Sequence, residues 1–178
     1  MFCIPLLAGM LAGSVWYSGH SGQISPLIHQ FFAPCLSGET VSEVFISTLA
    51  IGLLFTAIAF FAGLSAVGQP VAVIHPVLRG FGIGVSAAVE YSAGGIGTLP
   101  DVALLLLPKA IIAAAISFIA VREALRSSCL LMKAVASGEA PERPELKLYC
   151  LRFAVLSVFC IIAAAFDALL SYLLSGIV

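Results

Sequence analysis

Four residues that cost free energy in an apolar environment recur along one stretch of this chain: His75, Arg79, Ser86 and Glu90, with Gly82 between them. At helical periodicity they fall on one stripe less than a quarter-turn wide. Two further ionisable groups, Lys109 and Asp167, sit inside other apolar runs. Groups of this kind bind ions or anionic ligands, relay protons, or pair with one another across helices. Arg79 and Glu90 lie about 16 Å apart along a helix axis, too far to pair, so their partners must come from other elements. Asp101 and Asp167 are the other acids in or at the edge of apolar runs. Asp167 is therefore expected to neutralise Arg79 or Lys109. The plainer reading of Arg79 is that it binds carbonyls freed where Pro76 and the nearby glycines interrupt its helix, because lipid offers no water to do so.

The elements that hold these groups follow from composition. The chain has 178 residues, 61% hydrophobic and 10% charged, with a formal net charge of −1. An ordinary soluble domain carries roughly 25% charged residues, so a soluble globular protein is excluded, and nucleic-acid binding has no basic face to use. The lipid bilayer is the expected surrounding. A crossing helix needs about 20 apolar residues, and five stretches qualify or nearly so: about 2–17, 44–68, 71–91, 99–124 and 151–174. The first is short, and no Lys or Arg precedes it. A cleaved signal peptide normally has a basic start, so a retained helix is favoured. The third stretch contains Pro76, Gly80, Gly82 and Gly84, and the fourth Pro108. Both are predicted to be interrupted there. The whole of 1–178 reads as a single all-α transmembrane domain, a polytopic bundle of about five helices.

Six of the eight Lys and Arg residues lie between Arg122 and Arg152, and the connection from Ser18 to Glu43 has none. By the positive-inside rule the basic segment faces the cytoplasm and the other faces out. Parity then puts the N-terminus inside and the C-terminus outside. Ser25-Pro26 and the apolar residues after it predict a short helix in the external connection. Ser127 to Val135 is predicted to continue helically along the membrane surface, ending before Gly138 to Pro144.

Three small-xxx-small pairs, Gly9 with Gly13, Gly80 with Gly84, and Ala164 with Ala168, allow close helix packing. They serve within one chain or between copies in a homo-oligomer, and internal packing is preferred. Five cysteines show no CxxC spacing and read as free thiols. His20, His29, Cys35 and Glu39 share the external connection without a ligand motif, so they read as solvated loop residues. No catalytic arrangement, metal site or cofactor motif is visible.

The order of motifs Phe60-Phe61-Ala62-Gly63-Leu64-Ser65-Ala66-Val67-Gly68-Gln69-Pro70, Arg79-Gly80-Phe81-Gly82-Ile83-Gly84, Gly94-Gly95-Ile96-Gly97, Leu105-Leu106-Leu107-Pro108 and Arg122-Glu123-Ala124-Leu125-Arg126-Ser127-Ser128 resembles the stage II sporulation protein M family. The resemblance implies a multi-pass protein of the bacterial plasma membrane without enzymatic activity. It further implies a scaffold in sporulation engulfment that anchors two peptidoglycan-remodelling partners, stage II sporulation proteins P and D. The chain departs from the family pattern after Pro108: many members carry His-Gly or Gln-Asn and then an acid, where this chain has Lys109-Ala110-Ile111-Ile112. The alternative from the residues themselves is a small transporter or channel that uses the polar seam, with an intramembrane enzyme a distant third.

Overall fold

A computed structural model describes residues 3–20, 40–65, 68–94, 99–137 and 146–175, apart from the side chains of 20, 90, 93–94, 99–106, 134–137 and 174–175. The expectations for the external connection, for Gly138 to Pro144, and for the side chains of Glu90 and Asp101 lie outside these residues.

Five helices make up the described fold: α1 (Cys3–His20), α2 (Val41–Leu64), α3 (Gln69–Gly94), α4 (Leu99–Ser137) and α5 (Leu146–Ser175), and no strand occurs among the described residues. Apolar runs form helices because a helix pairs its own backbone groups, which hydrocarbon leaves no other way to satisfy. At the start of α2 the Glu43 carboxylate reaches back to accept the Thr40 N–H at 2.8 Å, which satisfies one backbone donor at the helix N-terminus. Three helices, α2, α3 as far as Val89, and α5 from Leu146 to Leu173, are long and apolar enough to cross a membrane, and α1 is a shorter apolar helix. Leu11, Phe61, Ile111, Leu151 and Phe159 are each more than half exposed on the outside. A surface of that kind suits lipid and would aggregate in water.

Two expectations need correction. Neither Pro76 nor Pro108 breaks its helix: α3 and α4 run continuously through them. A proline deletes one backbone hydrogen bond, whereas ending the helix in an apolar surrounding would free several donors and acceptors at once. The helix of the fourth stretch runs on past Ala124 and stops before Gly138, as expected. It continues as one helix of 39 residues to Ser137, about 58 Å long, so Ser127 to Val135 extends the same helix.

Contacts fix the directions of the helices. The start of α2 and residue 109 of α4 meet the end of α5 through Thr48, Lys109 and Asp167. At the other end Ser128 of α4 donates 2.8 Å to the Ser65 carbonyl after α2, and Tyr149 of α5 donates 2.8 Å to the Phe60 carbonyl. Hence α2 and α4 run one way and α5 the other. Gln69 at the start of α3 lies on Cys129 of α4, so α3 runs with α5.

Helix α1 runs parallel to α3 and packs on it through glycines on both sides. A Cβ on Gly9 or Gly13 would strike the carbonyl oxygens of Val77 or Phe81, and one on Gly80 or Gly84 would strike those of Leu6 or Met10. The two small-xxx-small pairs are thus partners of each other inside one chain, with backbone against backbone. Above them Trp16 packs on Phe81 at 5.8 Å between ring centroids, and the Tyr17 and Ser92 hydroxyls lie 2.9 Å apart. A second core joins α2, α4 and α5 through Ala59, Ala120, Ala124, Tyr149, Phe153 and Leu156. This core holds α2, α4 and α5 together, and α3 joins them through Gln69 on α4 and through His75 and Arg79 on Phe55 of α2, leaving a common centre.

Candidate functional site

That centre is a cavity of about 90 Å³ between α2, α3, α4 and α5, lined by His75, Arg79, Gly82 and Ser86 from the seam together with Lys109 and Asp167. The helical spacing of these four seam residues turns them to this side of α3, and the crossing of α4 and α5 brings the other two to meet them. Such a volume has room for several waters, since one needs about 10–15 Å³ on this measure, and its wall is mostly apolar with these few polar side chains set into it.

Asp167 is 2% exposed. Its Oδ2 accepts the Thr48 hydroxyl at 2.6 Å and lies 2.7 Å from the Lys109 ammonium. Of the two cations the sequence offers, Lys109 is therefore the one paired with Asp167. The second oxygen, Oδ1, is buried with no hydrogen-bond partner among the described residues. The three residues sit seven to ten positions in from helix ends that share one face of the bundle, roughly 10–15 Å below it.

Arg79 is held differently. Its guanidinium carbon stands 5.0 Å over the Phe55 ring, and its Nε is buried without a hydrogen-bond partner among the described residues. The expected capture of backbone carbonyls is replaced by a cation–π contact, consistent with an unbroken α3 that frees few carbonyls. Phe55 serves His75 too. The imidazole Nε2 is 3.0 Å from the Phe55 carbonyl oxygen, and because a carbonyl only accepts, Nε2 carries the proton and donates. That leaves Nδ1, which is buried and unpartnered among the described residues. The rings of Phe55 and His75 meet edge to face at 5.2 Å. Ser86 donates to the Gly82 carbonyl of its own helix at 3.1 Å.

Sequence reasoning missed the α2 wall: Thr48, Phe55 and Thr56, together with Ser117 of α4 and Cys160 of α5, also line the cavity. Thr48, Gly52, Phe55 and Thr56 recur at i, i+4, i+7 and i+8, one face of a helix, and this was the signal available. Thr56 donates to the Gly52 carbonyl at 2.9 Å and lies 3.4 Å from the Cys160 sulfur. Among the described residues no cluster of three or more His, Cys, Asp or Glu side chains could hold a metal ion. The arrangement concentrates charge at depth and can bind or conduct a charged species.

Several described motif residues away from the cavity are engaged in packing. A Cβ on Gly63 would strike the Tyr149 hydroxyl and crowd Ala124, and one on Gly68 would strike the Ala62 carbonyl. Glu123 pairs with Arg152. Ser128 pins the turn after α2, whose Ser65 carbonyl also accepts the Gly68 N–H at 3.2 Å. Gly80 and Gly84 seat α1.

The model of the stage II sporulation protein M family matches residues 2–172 of this chain. No curated protein and no solved structure matches it.

Proposed function

Because the chain belongs to the stage II sporulation protein M family, and so is a sporulation-associated membrane protein, we propose that it is a non-enzymatic scaffold of engulfment. In this reading it is a multi-pass protein of the bacterial plasma membrane with five crossings, its N-terminus inside and its C-terminus outside. The connection between α1 and α2 faces out and holds the peptidoglycan-remodelling partners, stage II sporulation proteins P and D. The observation that carries the reading is the use made of the shared motifs. Gly63, Gly68, Gly80, Gly84, Glu123 and Ser128 build helix contacts and a turn, so what is characteristic of the chain is its frame, as a scaffold requires. The alternation of helix directions and the basic segment from the end of α4 to the start of α5 support the sidedness.

The test is co-purification of the full chain with each partner from membranes in which both are expressed. Replacing residues 21–39 by a Gly/Ser linker of equal length is expected to abolish capture and leave the chain folded in the membrane. Undiminished capture would overturn the assignment of the surface, and no capture by the intact chain would overturn the scaffold reading.

The polar cavity favours one second reading, a small transporter or channel. Flux through proteoliposomes over a panel of ions separates the two, and a flux abolished by Asp167→Asn would favour transport.

A further inference from the structure

Helix α4 turns one face outward from Ile111 to Lys133. Ile111, Ala115, Ile119, Arg122, Arg126 and Lys133 are all exposed, and at 100° per residue they fall on one stripe less than a quarter-turn wide. The stripe is apolar as far as Ile119 and basic from Arg122. Its depth in the membrane follows from the neighbouring helices. A Cβ on Gly63 would crowd Ala124, and Ser128 donates to the Ser65 carbonyl, so Arg122 to Arg126 lie level with the last turn of α2. On α3, which runs the other way, Gln69 touches Cys129, and that puts Val73 and Ile74 at the same level. Phe61 and Leu64 of α2 and Val73 and Ile74 of α3 are exposed apolar side chains, which suit hydrocarbon, while the turn after Leu64 is where the chain leaves it. The two arginines therefore sit where hydrocarbon gives way to headgroups.

We propose that Arg122 and Arg126 hold the phosphate of one phospholipid with a net negative headgroup, of the phosphatidylglycerol kind, whose acyl chains lie along Ile111, Ala115 and Ile119. The two side chains are one turn apart, about 6 Å along the axis, and the headgroup layer is about 5–8 Å thick on each side, so both guanidiniums reach one phosphate. Like charges at this spacing repel each other, and an anion between them relieves the repulsion while its oxygens accept charge-assisted hydrogen bonds from each. Glu123, the acid next to them in the helix, is paired with Arg152 of α5. A zwitterionic headgroup carries its own cation, which would face the second arginine, so the site selects net charge. An acidic soluble partner would have no use for the apolar half of the stripe, and the continuity of the two halves is what points to a lipid. Lys133 lies about 16 Å beyond Arg122 along the axis, past the headgroups, and takes no part. The site goes beyond the scaffold reading and does not rest on it, since a lipid can be held whatever the partners are.

The experiment is native mass spectrometry of the full chain, purified in detergent and mixed with equal amounts of phosphatidylglycerol and phosphatidylethanolamine of matched acyl chains. One phosphatidylglycerol per chain is expected to be retained, preferred at least about tenfold over the zwitterionic lipid. A surface cation is worth about fivefold toward an anionic lipid, so Arg122→Gln and Arg126→Gln should each lower the preference about fivefold, and the double variant should abolish it. Replacing both by Lys keeps most of it, and Lys133→Gln keeps all of it. The proposal is overturned by equal retention of the two lipids, by the double Gln variant retaining phosphatidylglycerol like the unaltered chain, or by Lys133→Gln costing as much as either arginine, since the charge would then act diffusely. Loss of the retained lipid to millimolar inorganic phosphate would overturn it too, because the ligand would then be a free anion. So would retention that begins only when Glu139, Glu142 and Glu145 are changed to Gln, because the chain's own carboxylates would then occupy the arginines. Should the double Gln variant lose its helical circular dichroism, the two single variants decide: a lowered preference in each sustains the site, and an unchanged preference in either overturns it.

Discussion

The contact between Lys109 and Asp167 can be measured as a coupling energy. The two charges are 2.7 Å apart, the carboxylate 2% and the lysine side chain 26% exposed. At an effective dielectric of about 20 their attraction is about 6 kcal/mol, and desolvation of the ions offsets several kcal/mol of it. Removing one partner of a buried pair typically costs about 3–5 kcal/mol because the other is stranded. Asp167→Asn leaves a lysine that can still reach water through its exposed quarter, so about 3 kcal/mol is expected. Lys109→Gln strands the carboxylate with Thr48 alone, and about 4 kcal/mol is expected. The double variant leaves two amides that can bond each other and costs about 2 kcal/mol. Reversible unfolding in mixed micelles, followed by circular dichroism, gives all three values. The singles should together exceed the double by at least about 3 kcal/mol. If they add to within about 0.5 kcal/mol, the pair does not exist as described.

Three further outcomes are expected. Gly80→Leu drives a side chain into the Leu6 carbonyl and should lower stability by about 1–3 kcal/mol, while Gly19→Ala, which meets nothing within 4 Å, should change it by less than about 0.5 kcal/mol in the same unfolding assay. Tyr149→Phe loses the 2.8 Å hydrogen bond to the Phe60 carbonyl and should cost about 1 kcal/mol with the ring packing intact. Alkaline phosphatase fused after Val178 should be active, and a green fluorescent protein at the same place dark; the reverse pair of results would overturn the external C-terminus.

What could be read in the sequence depended on how loudly each residue speaks against an apolar background. His75, Arg79, Lys109 and Asp167 stand out because each is costly at depth, and helical periodicity alone puts His75, Arg79 and Ser86 on one side of α3. Thr48, Phe55 and Cys160 are ordinary residues for a lipid-facing helix, and they become site residues only when α2 and α5 are packed. The pairing of Lys109 with Asp167 instead of Arg79 depended on the vertical alignment of α4 and α5, which connection lengths do not determine. Helices α4 and α5 run beyond the apolar stretches 99–124 and 151–174 at the basic end, past Arg122, Lys147 and Arg152, because a helix continues readily into water. Pro76 and Pro108 misled because proline's penalty is learned from soluble helices, where leaving the helix costs little. The capping pattern of Thr40 and Glu43 lay in plain view and would have moved the start of α2 to Val41.

The glycine contact between α1 and α3 imposes an order on biosynthesis. Membrane proteins are threaded into the bilayer from the N-terminus, so α1 arrives while α2 has still to be made and its true neighbour, α3, is not yet synthesised. Through that interval the Gly9 and Gly13 face is open to lipid and to any other small-residue helix nearby. A ribosome stalled before residue 80 leaves behind an adhesive helix without its mate. Completion of α3 is therefore the moment at which the nascent protein stops being promiscuous, and shortened chains that end earlier should be found cross-linked to one another or to quality-control proteases.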